Sequence, residues 1–175
     1  MQKDFPEEKT ALQDRIQSQG NLIERTIKSV QRICTDLRPQ ILDVFGICEA
    51  IAWQAGEYAS RTGIKFDLNC LQENIKLDRD LITAIFRIFQ EITTNIVRHA
   101  QASKVIVRLN QEKDLLVLEV KDNGLGIQEH QITDSKSLGI LGMRERVLFW
   151  DGEINIHGNP GKGTTVTIKI PYKKP

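Results

Sequence analysis

Between Asp78 and Ala100, the residues Leu81, Ile85, Ile88, Phe89, Ile92 and Ile96 recur at three- and four-residue steps. That spacing lines one side of a helix with apolar groups, and such a side must be buried against a second layer. Asp78 is placed to cap the helix, since its carboxylate can accept from amides left free in the first turn. The sequence that follows can supply the second layer. Lys104–Asn110 and Leu115–Lys121 are β-rich runs split by the polar Gln111-Glu112-Lys113-Asp114, a hairpin pattern. Asp122-Asn123-Gly124 closes the second run. Met143–Trp150 reads as a further helix, and Glu153–His157 and Thr164–Ile170 as another strand pair around Gly158-Asn159-Pro160-Gly161-Lys162-Gly163. The expected class is α+β, a two-layer α/β sandwich.

Upstream, Pro6 with Glu7 and Glu8 suits a helix start. A long helix to about Leu37 is expected, with Ile16, Ile23, Val30 and Leu37 at seven-residue steps and Leu12, Ile27 and Ile33 between them. So narrow a seam calls for a partner helix, although packing on its own domain is an alternative, and Gly20 with Gln17-Ser18-Gln19 weakens the pattern near its start. Pro39 ends it. Residues 41–62 read as one helix with Ile41, Leu42, Phe45, Ile47, Ile51, Ala52 and Ala55 on its apolar face and Gly63 as its stop, before a strand over 64–70. The expected division is 1–39, a long N-terminal helix, and 40–175, the main domain.

A chain of 175 residues allows one domain and an appendage at roughly 150 residues per domain. With 24 Lys+Arg against 23 Asp+Glu the formal charge is +1, so no global field draws it to nucleic acid or anionic membrane. No window approaches the roughly 20 apolar residues of a membrane span, and the acidic start is unlike a secretory signal. Cys34, Cys48 and Cys70 are too dispersed for a CxxC metal pair, and their odd number argues against a disulfide framework. The expectation is a reduced, cytoplasmic chain with no nucleic-acid partner and no membrane contact of its own. Anchoring of a longer parent protein stays open.

Four polar residues of the helix that begins after Asp78 carry candidate chemistry. Glu91 and Asn95 stand at i and i+4, Arg98 three further on and His99 four beyond Asn95, so all four can project near one face. A carboxylate, an amide oxygen and cationic donors suit magnesium and phosphate, because magnesium takes few protein oxygens and leaves positions for phosphates. A solvated helix face accounts for the same residues. Asp122, with Gly124 and Gly126, sets a carboxylate at a strand end beside backbone that a ligand could approach closely. A purine amino group could donate to Asp122, and an ordinary Asn-Gly turn is the other explanation. Gly139-Ile140-Leu141-Gly142 precedes the helix expected at Met143, where free amides would favour phosphate oxygens. A flexible loop would look the same. Gly161-Lys162-Gly163 fails the Walker A pattern, and no complete GxGxxG follows a first strand.

In sequence order, Glu91-x-x-x-Asn95, Asp122-Asn123-Gly124-x-Gly126, Gly139-x-x-Gly142 and Gly161-x-Gly163-Thr164 resemble the boxes of the ATP-binding superfamily shared by gyrase, heat-shock chaperones, histidine kinases and mismatch-repair proteins. The resemblance covers about residues 41–171. A narrower likeness lies in Gln90-Glu91-Ile92-Thr93-Thr94-Asn95-Ile96-Val97-Arg98-His99-Ala100, in Gly139–Val147 and in Leu37-Arg38-Pro39 with Leu42-Asp43 and Gly46. These resemble the nitrate-sensor type of two-component sensor histidine kinase, as does the brief lid between Gly126 and Gly139.

The resemblance implies a Bergerat-type ATP-binding fold with ATP and Mg2+ as cofactors. It implies that Asp122 recognises adenine, with Gly124, Gly126 and Thr164 shaping that pocket, and that Asn95 ligates magnesium. Arg98 and His99 would approach the phosphates, amides near Gly139 and Gly142 would cradle the triphosphate, and Glu91 would act on the incoming acceptor imidazole. Residues 1–39 would then be the second helix of the dimerisation and phosphotransfer hairpin. The implied partners are an acceptor-histidine helix, a response regulator and, in the full-length protein, a second copy. The chain departs from the family in its histidines. His99, His130 and His157 all fall in the ATP-binding portion, so the acceptor helix is absent and autophosphorylation is not expected from this chain alone. A fragment cut at the hairpin turn is the expected explanation, with a naturally truncated protein as the alternative. The alternative is an anti-sigma-factor-like regulatory module or serine kinase of the same superfamily.

Overall fold

A computed structural model describes residues 19–20, 40–70, 77–133 and 137–172. The expected helix over 6–37, its seam and Cys34 lie outside them, except that Gln19 and Gly20 are helical and exposed. The chain separates into two compact units, Met1–Gln40 and Ile41–Pro175.

The second unit is a five-stranded sheet with helices against it, the expected α+β class. The strands are β1 (Lys65–Cys70), β2 (Lys104–Glu112), β3 (Leu115–Asp122), β4 (Glu153–Asn159) and β5 (Gly163–Pro171). Their order is β1-β2-β3-β5-β4. β1 runs parallel to β2 and every other pair is antiparallel. Alternation sets one face of each strand inward. Leu109 pairs with Leu118 and Leu118 with Ile168, while Val107 pairs with Val120 and Val120 with Val166. These rows are buried. The hairpin turn narrows to Lys113-Asp114, with Lys113 at φ 55, so both of its strands run further than the sequence suggested.

The helices are α1 (Gln40–Phe45), α2 (Ile47–Thr62), α3 (Arg79–Asn95), α4 (Glu129–Thr133) and α5 (Leu138–Phe149). On α3, Leu81, Ile85, Phe86, Ile88, Phe89, Ile92 and Thr93 are buried. The helix touches α2, β3 and α5, which places it centrally on the sheet. Asp78 caps it as expected, its Oδ1 accepting from the Asp80 amide at 2.8 Å and the Leu81 amide at 3.3 Å.

Several expectations are corrected. The single helix over 41–62 is two, because Gly46 stands at φ 86 and breaks the run. The break shifts the phase, so Leu42, Ile47, Ala50, Ile51 and Ala55 are buried whereas Phe45 and Ala52 are exposed. Gly63 ends α2 as expected, at φ 75 with its amide donating to the Ala59 carbonyl. The α-helix after Asp78 stops at Asn95 and widens into a π turn over Ile96–Ala100. The last long helix starts at Leu138 rather than near Met143, since burial of Ile140, Met143 and Val147 outweighs two glycines in its first turns. α4 has no counterpart in the sequence reading. Cys48 and Cys70 form a disulfide across a Cα separation of 5.7 Å. The count of three cysteines pointed the other way because it could not show that two of them end on adjoining elements. Among the described residues no helix is long and apolar enough to cross a membrane.

Candidate functional site

Asp122 is the last residue of β3 and is only 2% exposed. Its Oδ1 accepts from the Gly124 amide at 2.7 Å and its Oδ2 from the Thr164 amide at 3.2 Å. Burial pushes the carboxyl above its ordinary value of 3.8, against the opposing pull of those amides. A carboxylate has about four lone-pair sites, so acceptor capacity remains beyond the bonds to Gly124 and Thr164. The chain thus keeps a costly buried acceptor at a fixed place.

The loop after β3 is held by its own backbone. A Cβ on Gly124 would overlap the Ala100 carbonyl oxygen, and one on Gly126, at φ 82, would lie 2.5 Å from the Asn159 carbonyl oxygen. The close approach expected for a ligand is therefore occupied at both glycines by protein. The Leu125 amide donates to the Ala100 carbonyl at 2.8 Å, the Gly161 amide to the Leu125 carbonyl at 2.8 Å, and the Ile127 amide to Thr164 Oγ1 at 3.1 Å. Thr164 consequently fastens both Asp122 and the loop. Asn123, to which the sequence reading gave no role, accepts from the Ser103 and Lys104 amides at 2.9 Å each and donates to Ser103 Oγ. Its only signal in the sequence is its place in the Asp-Asn-Gly turn.

On α3, Glu91 and Asn95 are half-buried, whereas Arg98 and His99 are exposed on the π turn. π turns inside helices are frequent at functional sites, and this one changes the phase on which the expected common face depended. Arg98 and His99 no longer follow Glu91 and Asn95 at α-helical spacing. Through Ala100, the last residue of that turn, the segment is tied to the Asp122 loop by the Leu125 amide. Neighbouring polar side chains on α3 bond to α2: Thr94 Oγ1 lies 3.1 Å from Tyr58 Oη, and Gln90 Nε2 donates to Gln54 Oε1 at 3.1 Å.

Gly139 and Gly142 lie within α5. A Cβ on Gly139 would overlap Glu91 Oε1, whereas one on Gly142 would meet only the Arg146 guanidinium at 3.0 Å. Ser137 precedes α5 without capping it through its side chain. Among the described residues no three His, Cys, Asp or Glu side chains converge as a metal cage.

The structure therefore ties Asp122, Gly124 and Thr164 into one bonded unit with Gly126 packed on Asn159 beside it, brings Glu91 against Gly139, and among the described residues gives no bond from Asn95, Arg98 or His99 to either group. Comparison with known proteins agrees with the fold. The sequence profile of the histidine kinase-, DNA gyrase B-, and HSP90-like ATPase family matches residues 80–174. The sensor histidine kinase ComP of Bacillus subtilis is 31% identical over 160 residues, covering 91% of this chain and 21% of ComP. The signal transduction histidine-protein kinase/phosphatase DegS of Brevibacillus brevis is 31% identical over 150 residues, 86% of this chain and 39% of DegS. The chain thus spans well under half of either relative. The histidine kinase domain of the Erythrobacter litoralis EL346 blue-light activated histidine kinase superposes with a TM-score of 0.65 at 23% identity, covering 76% of this chain and 69% of that one.

Proposed function

Because the chain belongs to the histidine kinase-, DNA gyrase B-, and HSP90-like ATPase family and is homologous to sensor histidine kinases, we propose that it binds magnesium-ATP and passes the γ-phosphoryl group to a histidine other than its own three. The observation that carries this reading is the buried Asp122 carboxylate, oriented by the Gly124 and Thr164 amides with acceptor capacity to spare. Asp122 accepts from the adenine amino group, beside Gly126 and Thr164. Asn95 offers its amide oxygen to magnesium, whose charge offsets that of the phosphate oxygens. Arg98 and His99 approach the phosphates from the π turn, and the first turns of α5, with Gly139 and Gly142, present amides to them. Phosphoryl transfer draws mainly on positioning and charge stabilisation. The acceptor imidazole nitrogen bonds to the γ-phosphorus as the bond to the ADP oxygen breaks, and Glu91 takes the proton that the imidazole releases.

The acceptor sits on a separate helix of the parent kinase, which functions as a homodimer in the cytoplasm and passes the phosphate on to a response regulator. The anti-sigma-factor-like alternative is not favoured, since both relatives are histidine kinases in name. Calorimetry with ATP and magnesium tests the first step. Uptake of nucleotide is expected, weakened by Asp122→Asn and spared by Glu91→Gln. With labelled ATP and the cognate acceptor helix supplied separately, acid-labile phosphohistidine is expected on that helix, formed more slowly by Glu91→Gln. Absence of magnesium-dependent ATP binding would overturn the reading.

A further inference from the structure

The contact between Glu91 and Gly139 joins two elements far apart in sequence. Glu91 is half-buried on α3, and a Cβ built on Gly139 would lie 2.8 Å from Glu91 Cδ and closer still to its Oε1. No side chain fits at 139 while the carboxylate holds this position. The start of α5 also has an electrostatic reason to accept a carboxylate from elsewhere. Its first turn contains no acidic residue, and Ser137 provides no side-chain cap. The Ser137 hydroxyl is turned away, donating to the Gln131 carbonyl at 2.9 Å. The first amides of a helix lack intrahelical acceptors and form its positive end, and among the described residues Glu91 brings a carboxylate against that turn.

We propose that Gly139 is a positioning residue: its missing side chain lets the first turn of α5 seat directly on Glu91, so that α5 sets where this carboxylate points. The proposal rests on the reading of Glu91 as the proton acceptor. A shift of α5 then re-aims the carboxylate, which links the lid side of the site to the proton-transfer step. Gly139 acts through Glu91 and need not touch the imidazole. The energetics favour a local response to substitution, since the atoms a methyl group would meet are the far end of a flexible side chain and not backbone. In Gly139→Ala the carboxylate gives way, and the helix, which gains the better helix former, stays folded.

The test is a double-mutant cycle at saturating magnesium-ATP, so that any change in nucleotide affinity drops out. Wild type, Gly139→Ala, Glu91→Gln and the double variant are compared for initial rates of labelled phosphate transfer to the cognate acceptor helix. The carbon-13 side-chain carboxyl resonance of Glu91, assigned by its loss in Glu91→Gln, is followed in parallel. Gly139→Ala is expected to move that resonance and to slow transfer by roughly a hundredfold, the scale of a misplacement near 1 Å. It is expected to cost nothing further in the Glu91→Gln background. An unmoved resonance would overturn the proposal, as would the same fold-loss in both backgrounds, which would mean that Gly139 acts on transfer independently of Glu91. A wild-type transfer rate in Glu91→Gln would overturn the underlying reading of Glu91. The resonance distinguishes that case, because it still reports whether the 139 side chain displaces the carboxylate.

Discussion

Across the β3–β5 seam, the Thr164 amide donates to Asp122 Oδ2 at 3.2 Å, joining residues 42 positions apart in sequence. With the Gly124 amide on Oδ1, each carboxylate oxygen has a backbone donor. The acceptor assigned to adenine is therefore also a structural clasp, and variants at this position must be read with both effects in view.

Asp122→Asn replaces one of two acceptor oxygens with an amino group, so either Gly124 or Thr164 loses its partner. An unsatisfied buried donor costs about 1–3 kcal/mol. Removing a buried charge offsets part of that, because burial already disfavours the ionised form. The net expectation at neutral pH is a loss near the lower end, about 1 kcal/mol. Urea denaturation of wild type and variant without nucleotide measures it. A variant as stable as wild type would remove the clasp from the account.

The same carboxyl predicts a pH dependence. Its folded-state value lies above the ordinary 3.8, so between those two values the folded chain holds more protons than the unfolded chain. Stability from this group is fully present below about 3.8, the unfolded value, and is lost as pH rises through the raised folded value. The difference in unfolding free energy between wild type and Asp122→Asn should therefore shift toward wild type as pH falls through that window. Denaturation at a series of pH values checks the sign, and a difference moving the other way would mean that the amide bonds outweigh desolvation.

Gly124→Ala should be costly where Gly56→Ala is not. At 124 the new methyl meets the Ala100 carbonyl, backbone already fixed by the Leu125 amide, and overpacking of this kind costs about 1–3 kcal/mol. The strain falls on the π turn that carries Arg98 and His99. Gly56 lies on α2 with nothing within 4 Å of an added Cβ, so alanine there should stabilise by up to about 1 kcal/mol. Thermal unfolding of the two variants should move in opposite directions.

How much of this was legible in the sequence follows from how local each cause is. The stripe from Leu81 to Ile96 and the cap at Asp78 depend on neighbours within a turn or two, and both are found as expected. Inward alternation along β2, β3 and β5 is equally local. Gly46 enters the sequence reading only through its likeness to the sensor kinases, and its φ of 86 is what marks the break. The start of α5 was misplaced because Gly139 and Gly142 are poor helix formers, whereas the burial that overrides them comes from α3 and the sheet. In the site, Asp122 and Thr164 could be named from their motifs. The partners of Gly124, Gly126 and Gly139, which are Ala100, Asn159 and Glu91, could not, because those contacts join distant segments.

The Cys48–Cys70 bridge is a covalent non-local contact. It joins the first turn of α2 to the last residue of β1 over a sequence separation of 22. β1 is an edge strand, paired only with β2 among the described residues, and the bridge adds a covalent tie to its packing on α2. Closing a loop of this size restricts the unfolded chain by about 3 kcal/mol. Reduction, or the pair Cys48→Ser and Cys70→Ser, should lower unfolding free energy by about that amount. Nucleotide binding should change little, because Cys70 pairs with Leu109, toward the other end of β2 from Lys104, where Asn123 is bonded. Denaturation with and without reductant, beside ATP calorimetry under the same two conditions, separates these effects. Equal stability in both conditions would mean that the bridge contributes nothing to the fold, and a loss of nucleotide binding on reduction would mean that the far end of the sheet reports to the site.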